Sequence, residues 1–375
     1  MGEGSLDIDQ DLARRLLIEG ATLMLLNVPQ GTEFGIDMKS WYTAERFKGL
    51  KMIPPGLHFI YYSAVNEHGD VAPRVGFFHH FKKSEFVVKQ WDPDSESISS
   101  AEISEEEVKV YMSNLLNLDK HLGPYPFDVW KKWKVLTDKI TESQSQQLSP
   151  ETGYVSSALE LVCCGQNDLS PRKERRARVS TAEEKEEELL PQLKASPGTE
   201  LRLTCLPERS YPEGATPAEI TQHSLDSSYM LETLLSQLSS PMDLLGELQF
   251  AFVCFLVGHS LEAFEHWKKL IRLLCSCDRV VPKLRELYSE FVAILDIQLL
   301  EIPEDFLVDI VSSNNFVYSS LRNLFLNLQI NDCVDGRLKS KVTRFKDRLT
   351  ERFEWDFSNL EREDDEEAPV IVDTS

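Results

Sequence analysis

Histidine and cysteine are the residues of this chain whose side chains most readily bind metals or act as nucleophiles. The eight histidines include the adjacent pair His79 and His80, in a stretch with the composition of a strand. Successive side chains of a strand point to opposite faces, so this pair does not chelate one ion. His259 and His266 are separated by a predicted helix boundary. Packing or surface roles are therefore predicted for these histidines.

The seven cysteines show no zinc-ligand spacing. Cys163–Cys164 and Cys275–Cys277 are close pairs, but neither has a second pair at the required distance. An odd number of cysteines in a long chain without a secretory signal predicts reduced thiols in the cytosol or nucleus.

Motifs for enzymatic chemistry are also missing from the sequence. It contains no glycine-rich phosphate loop, no zinc-protease motif, no serine-hydrolase elbow and no paired-cysteine motif. With 62 acidic side chains, no two carboxylates can be singled out as acid and base. The sequence therefore predicts no catalytic, cofactor-binding or metal site, and a protein that is not an enzyme.

The net charge of -22 indicates the class of partner. Binding to nucleic acid or to anionic membranes depends on Lys and Arg, so the acidity disfavours both for the protein as a whole. A basic protein partner fits better, and the alternative is that the charge only maintains solubility. The most apolar stretch, Phe250–Val257, is too short to span a bilayer, and the first residues lack the apolar region of a secretory signal. We expect a cytoplasmic and nuclear protein.

The length of 375 residues predicts two domains. The composition of residues 1–164 indicates a β-rich domain with added helices. Strands are predicted over Ala21–Val28 and Leu57–Val65, where β-branched and aromatic residues are frequent. Val75–Phe81 and Glu85–Trp91, joined by three residues, are predicted to pair as a hairpin.

The pattern of residues 199–357 indicates an all-helical domain. Thr216–Glu219 and Ser240–Pro241 combine an N-cap residue with proline at the first helical position. The stretch 243–257 is apolar almost all round, which predicts a central, buried helix. Gly258 follows it where a left-handed C-cap residue is expected.

Residues 165–198 are predicted to form a disordered, charged linker. The basic block Pro171–Arg178 precedes a run, 183–188, that contains five glutamates. Too few apolar side chains lie between them to offset the entropy of ordering. Two hypotheses concern this segment: the basic block is a nuclear import signal, and Ser170 and Ser180 are phosphorylation sites. The alternative is a solvated linker with neither role.

Residues 358–375 are predicted to form an acidic, flexible tail. Its last fifteen residues contain seven acidic side chains and one basic one, a segment charge of -6. A short β-branched run interrupts the acidic residues. We hypothesise that this run adds a strand to an exposed sheet edge of a partner, through Pro369, Val370, Ile371 and Val372. The alternative is a frayed terminus.

Six strings resemble the A1 cistron splicing factor family, and the likeness is to an animal member. They occur in the family's order and are spread over both predicted domains. The N-terminal strings are 31–37 (GTEFGID), 47–56 (FKGLKMIPPG) and 122–126 (LGPYP). The C-terminal strings are 211–221 (YPEGATPAEIT), 244–255 (LLGELQFAFVCF) and 262–268 (EAFEHWK).

The resemblance implies an assembly chaperone for pre-mRNA splicing. Family members bind the large scaffold protein of the U5 small nuclear ribonucleoprotein (U5 snRNP), contact its RNase H-like and Jab1/MPN domains, and keep the U5 helicase from docking early. The implied fold is α+β: a β-rich N-terminal domain, then an all-helical domain similar to VHS domains. No cofactor, membrane or sequence-specific nucleic-acid partner is implied. The alternative is a VHS-like helical adaptor in membrane trafficking or ubiquitin binding, which rests on fold likeness alone.

Overall fold

A computed structural model describes residues 10–66, 68–99, 101, 103–159, 161–163, 193–303, 315–357 and 360. The N-terminal part of the chain, within residues 10–163, contains two five-stranded sheets. The helical part comprises the described residues between 217 and 353, most of which lie in α-helices. The α+β class predicted from the sequence is confirmed.

The described residues form twelve strands. In chain order they are β1 (Ala21–Leu26), β2 (Glu33–Ile36), β3 (Lys39–Tyr42), β4 (Gly49–Ile53), β5 (Gly56–Ser63), β6 (Val75–Phe81), β7 (Phe86–Asp92), β8 (Ser97–Ile98), β9 (Leu122–Pro124), β10 (Val155–Ser156), β11 (Leu161–Cys163) and β12 (Leu193–Ala195). The first sheet has the order β8-β7-β1-β4-β9, and the second has the order β10-β6-β5-β2-β3.

The second sheet is covered on both faces. Ile60 and Tyr62 of β5 pack into a core that also contains β1 and β4 residues of the first sheet. Phe59 and Tyr61, on the opposite face of β5, belong to a core cluster shared with the helical part of the chain. Because alternate side chains of a strand face opposite ways, β5 is buried along nearly its whole length.

The predicted hairpin of Val75–Phe81 with Glu85–Trp91 is wrong. β6 pairs with β5 in the second sheet, whereas β7 pairs in parallel with β1 in the first. The short connection crosses between the two layers, with Ser84 at a φ of 53° and its backbone N–H bound to the carbonyl of Glu19. The short connection between β6 and β7 therefore leads from the second sheet to the first.

Twelve α-helices lie within the described residues. In chain order they are α1 (Gln10–Glu19), α2 (Glu105–Ser113), α3 (Leu115–Leu118), α4 (Phe127–Leu136), α5 (Glu142–Leu148), α6 (Pro217–Leu225), α7 (Ser228–Leu235), α8 (Pro241–Leu256), α9 (Leu261–Cys275), α10 (Arg285–Glu301), α11 (Phe316–Ile330) and α12 (Gly336–Phe353). A short 3-10 helix, Asp119–His121, precedes β9.

Helix α8 is the central helix, as its apolar sequence predicts. Residues 244–255 are all buried. Helices α9 and α10 pack on one side of it, and the second sheet and α5 lie on the other. A helix covered on all sides has no solvent face, which explains the nearly continuous apolar run. Its start is a capping box of Ser240 and Asp243, with Pro241 at the first helical position.

The left-handed residue after α8 is His259, at a φ of 57°, and not Gly258 as predicted. Gly258 is needed for space: a β-carbon there would lie 2.6 Å from the carbonyl oxygen of Cys254. The glycine thus permits the chain to pass close over the last turn of the helix. The next helix, α9, is capped by Ser260, whose side chain accepts from the N–H of Ala263.

Most of the predicted linker, residues 165–192, lies outside the described residues. On either side of it, β11 and β12 pair with each other, with Leu161 opposite Ala195. After a turn at residues 196–199, residues 201–206 run without helix or strand between the two parts of the chain, and we call this segment the strap. Within the strap, the N–H of Arg202 donates to the carbonyl of Leu148 at 2.9 Å.

Candidate partner-binding surface

A buried polar cluster in the N-terminal part is centred on Asp37. Its Oδ2 accepts from the Tyr125 hydroxyl and lies 2.7 Å from Nδ1 of His58, and its Oδ1 accepts from the N–H of Phe59 at 3.1 Å. Nε2 of His58 donates to the carbonyl of Pro54 at 2.8 Å. Burial, with the neighbouring carboxylate, raises the pKa of Tyr125 far above its usual value. The cluster is walled off from solvent and its polar atoms are used internally, so it supports structure rather than chemistry.

The helical part contains a second buried polar cluster, centred on Glu247 of α8. Its Oε1 lies 2.8 Å from Nε2 of His266 and accepts from the N–H of Thr204 at 2.7 Å, and its Oε2 accepts from the Thr204 hydroxyl at 2.6 Å. Burial opposes ionisation, but the hydrogen bonds from His266 and Thr204 outweigh it and hold the pKa of Glu247 below its usual value. The cluster therefore fastens the strap to α8.

Glu247→Gln should lower the free energy of unfolding by about 1–3 kcal/mol at pH 7, because the amide accepts fewer hydrogen bonds than the carboxylate. As the pH is lowered, the Glu247 carboxyl of the unfolded chain takes up a proton near pH 4.5, whereas that of the folded chain does so only at a lower pH. The stabilisation that ionised Glu247 provides is therefore complete above pH 4.5. It is lost as the pH falls through the lowered pKa of this group in the folded state. The measurement is urea unfolding of both proteins at pH 7 and below pH 4.5.

The matched control for this variant is Glu265→Gln, which changes an exposed glutamate on the adjacent helix α9. It should alter the free energy of unfolding by less than about 0.5 kcal/mol. If the difference in the free energy of unfolding between the native chain and Glu247→Gln stayed constant from pH 7 to below pH 4.5, the ionised state assigned to Glu247 would be contradicted.

Gln249 joins α8 to the N-terminal part. Its side chain is fully buried; Oε1 accepts from the N–H of Lys139 at 2.8 Å, and Nε2 donates to the carbonyl of Val135 at 3.1 Å and to the Asp138 carboxylate at 2.8 Å. One turn earlier, a β-carbon at Gly246 would lie 2.7 Å from the carbonyl oxygen of Lys139. The Gln144 side chain lies closer still to that position, so the 135–144 region packs directly against the backbone of α8.

The contact between the N-terminal part and the helical part is called the seam here. Arg74 of the N-terminal part also contributes to it. Its guanidinium donates to the Val257 carbonyl at 2.9 Å and to the Glu33 carboxylate at 2.8 Å, and it lies over the ring of Tyr61. Nη1 is 3.0 Å from Nε2 of His259. Partial burial and the arginine charge lower the pKa of His259. Arg74 therefore helps to join the two parts of the chain.

Exposed features suited to protein binding lie on the N-terminal part. Helices α2 and α3 cover the first sheet, yet Val110, Met112 and Leu116 point into solvent, and Leu116 is 92% exposed. Among the described residues, β3 pairs only with β2, so its outer edge is open, and the side chain of Tyr42 on it is exposed. Exposed apolar side chains and open strand edges are features that partners cover.

The sequence-predicted site residues lie outside the described residues. These are the tail residues Pro369, Val370, Ile371 and Val372 and the linker residues Ser170 and Ser180. The structure does show where the tail begins: Leu360 lies against α11 and α12, with its carbonyl 3.5 Å from Nη2 of Arg322.

Sequence reasoning missed both buried clusters and the seam. The available signal was the presence of Glu247 and Gln249 inside an otherwise apolar run, because polar side chains on a buried helix need specific partners.

In the described part of the chain, no helix is long and apolar enough to cross a membrane, and no group of His, Cys, Asp or Glu is arranged to hold a metal.

Comparison with known families covers both parts of the chain. Residues 19–150 match the AAR2 N-terminal domain, and residues 203–358 match the AAR2 C-terminal repeat region. The chain belongs to the AAR2 family. The two matched ranges lie on either side of the predicted linker, and the family resemblance inferred from the six strings is confirmed.

Relatives in this family match almost end to end. The proteins named Protein AAR2 homolog of Mus musculus and Homo sapiens are each 43% identical over 386 residues, covering 98% of this chain and 97% of the relative. The A1 cistron-splicing factor AAR2 of Saccharomyces cerevisiae is 27% identical over 376 residues, covering 94% of this chain and 97% of the relative. The chain is thus more similar to these animal members than to the yeast protein.

Proposed function

We propose that this chain is a pre-mRNA splicing factor that acts as an assembly chaperone. It binds the large scaffold protein of the U5 snRNP, through the RNase H-like and Jab1/MPN domains of that protein, and blocks premature docking of the helicase. The proposal is carried by the AAR2-family identity over 98% of the chain, in which the yeast relative is named a splicing factor. It places the chain in the cytoplasm and the nucleus, with the block 171–178 as the candidate import signal.

A binding role agrees with the physical properties of the chain. The two buried polar clusters use their side chains for internal hydrogen bonds, which favours a structural role over catalysis. Electrostatic attraction from a net charge of -22 favours a basic partner surface. Because the seam joins the two parts, a partner can contact both at once without ordering them first.

The test of this role is capture of a defined partner by the purified full chain. We expect a fragment containing the RNase H-like and Jab1/MPN domains to bind, and to lose its interaction with the helicase while bound. Recovery of endosomal cargo or ubiquitin conjugates in place of U5 proteins would support the helical-adaptor alternative and refute the proposal.

We propose that the tail residues Pro369, Val370, Ile371 and Val372 add a strand to the partner. Ordering the five residues of the run 368–372 costs about 5–10 kcal/mol of backbone entropy. Five main-chain hydrogen bonds return about 0.5–1.5 kcal/mol each, so the tail cannot carry the affinity alone. The folded parts therefore hold the partner, and the tail binds at high effective concentration.

Truncation after Glu367 should weaken binding to the scaffold fragment by about tenfold, since the strand pairing is lost but the folded surface remains. Ile371→Pro should have a similar effect because proline removes a main-chain donor, whereas Ile371→Val should bind like the native chain. The measurement is the Kd by calorimetry. Native affinity after truncation would remove the strand-addition proposal.

We also propose that phosphorylation of Ser180 or Ser170 weakens partner binding, because the phosphate adds a charge of about -1.5 to -2 beside an acidic chain. Ser180→Glu should raise the Kd by about two- to threefold in the same assay, as expected for one added surface charge. Ser180→Gln is the uncharged control of similar size. Equal affinities for the two variants would argue against this switch.

A further inference from the structure

Helices α11 and α12 enclose an open groove with an apolar floor and a basic rim. The groove has a volume of about 280 Å³ and is lined by Phe325, Leu328, Val342, Thr343, Lys339 and Lys346. Both lysines come from α12, seven positions apart, so they lie on the same side of the helix. A groove of this kind suits an extended, acidic peptide with some apolar contact.

Helix α12 is basic although the chain is strongly acidic. It contains seven Lys or Arg residues and two acidic ones, a net charge of +5 against -22 for the whole chain. On its other side, Arg348 pairs with Asp296 at 2.6 Å and Lys341 donates to the carbonyl of Ser289. Within the part of the chain that the structure describes, Lys339 and Lys346 have no acidic partner although each is half-buried. Partly desolvated charges favour a counter-charge.

The chain itself runs into this groove after α12. Glu354, at a φ of 57°, reverses its direction. The Tyr318 hydroxyl then donates to the carbonyl of Asp356 at 2.5 Å, and Nη2 of Arg322 lies 3.5 Å from the carbonyl of Leu360. Tyr318 and Arg322 are one turn apart on α11, so the segment advances along α11, antiparallel to α12, towards Lys339.

The next residues have the matching charge and sufficient length. Residues 361–367 contain six acidic side chains and one basic one, a net charge of -5. Seven extended residues span about 23 Å. The seven positions that separate Lys346 from Lys339 correspond to about 10 Å along a helix. Carboxylates in this segment can therefore reach both lysines.

We propose that residues 361–367 bind in the groove between α11 and α12, with their carboxylates beside Lys339 and Lys346. The groove is thus a binding surface for an acidic segment, and the occupant is the tail of the same molecule. Exposed ion pairs are weak singly, but the covalent link gives the segment an effective concentration on the order of millimolar. This contact does not depend on the proposed splicing role, because it lies within one chain.

The experiment is carbodiimide coupling of the purified full chain, followed by mass spectrometry. The reagent activates a carboxylate, and a lysine amine in contact with it displaces the activating group to form an amide. We expect amides between Lys339 or Lys346 and the acidic residues of 361–367, within single molecules. Coupling of Lys39 to Asp128, an exposed pair at 2.8 Å, is the internal positive control.

A charge reversal tests whether the groove is responsible. Lys346→Glu should lower the coupling yield at Lys339 by about fivefold, because one attraction becomes a repulsion. Lys131→Glu makes the same change in net charge at an exposed position of α4 and should leave that yield unchanged. Equal yields in the two variants would overturn the proposal.

Two other outcomes would also overturn it. If a mixture of isotope-labelled and unlabelled chains gives these amides only between molecules, the groove binds a second copy. If Lys39 couples to Asp128 while Lys339 and Lys346 stay uncoupled, the tail lies elsewhere and the groove is left for an external acidic partner or a nucleic acid.

Discussion

Asp37→Ala should lower the free energy of unfolding by about 3–5 kcal/mol, because it removes the acceptor that three buried groups share. The Tyr125 hydroxyl, the His58 ring and the N–H of Phe59 would all lose their shared acceptor in a site without water contact. Alanine is also disfavoured at the φ of 55° that Asp37 adopts. The measurement is equilibrium unfolding in urea, followed by tryptophan fluorescence.

The matched controls for Asp37→Ala separate backbone strain from lost hydrogen bonds. Asp37→Asn keeps one acceptor oxygen and tolerates a positive φ, so we expect an intermediate loss. Asp128→Ala breaks only an exposed ion pair with Lys39 and should cost less than about 1 kcal/mol. If Asp37→Ala were as mild as Asp128→Ala, the cluster would not stabilise the N-terminal part.

Gln249→Ala should lower the free energy of unfolding by about 2–4 kcal/mol. Alanine suits a helix, so the loss comes from the hydrogen bonds: the N–H of Lys139 and the carbonyl of Val135 both lose the fully buried side chain that pairs with them. The Asp138 carboxylate also loses a donor. Gln222→Ala, on the exposed surface of α6, is the matched control and should change stability by less than about 0.5 kcal/mol.

The same variant tests whether the seam makes the two parts unfold together. Tryptophans report on both parts: Trp91 and Trp133 are buried in the N-terminal part, and Trp267 is buried in the helical part. We expect one calorimetric transition for the native chain, and a broadened or split transition for Gln249→Ala. Two separate transitions in the native chain itself would show that the seam does not couple the parts.

The local patterns predicted from the sequence were the most reliable. The N-caps predicted at Thr216 and Ser240 both form, and each is followed by a helix that starts at the expected proline. These predictions succeed because a cap depends on a few adjacent residues and their backbone geometry. The apolar run of α8 also predicted its burial, since such a surface cannot face water.

The errors involve contacts between residues distant in the sequence. The link between β6 and β7 looks like a hairpin locally, yet β7 pairs with β1, more than 60 residues earlier. Gly258 was assigned to a left-handed conformation that His259 adopts, and it is needed instead for close approach to Cys254. In both cases the local pattern allows several geometries, and packing selects one of them.

The α+β class, several helix starts, the burial of the central helix α8 and, through the resemblance, the family could all be predicted from the sequence. This is possible because periodicity, caps and apolar runs are local properties of the chain. The strand order, the partners of Asp37, Glu247 and Gln249, and the groove on α12 could be seen only in the folded molecule. Those features bring together residues up to about a hundred positions apart, and the hydrogen bonds and charges that define them exist only once the chain has packed.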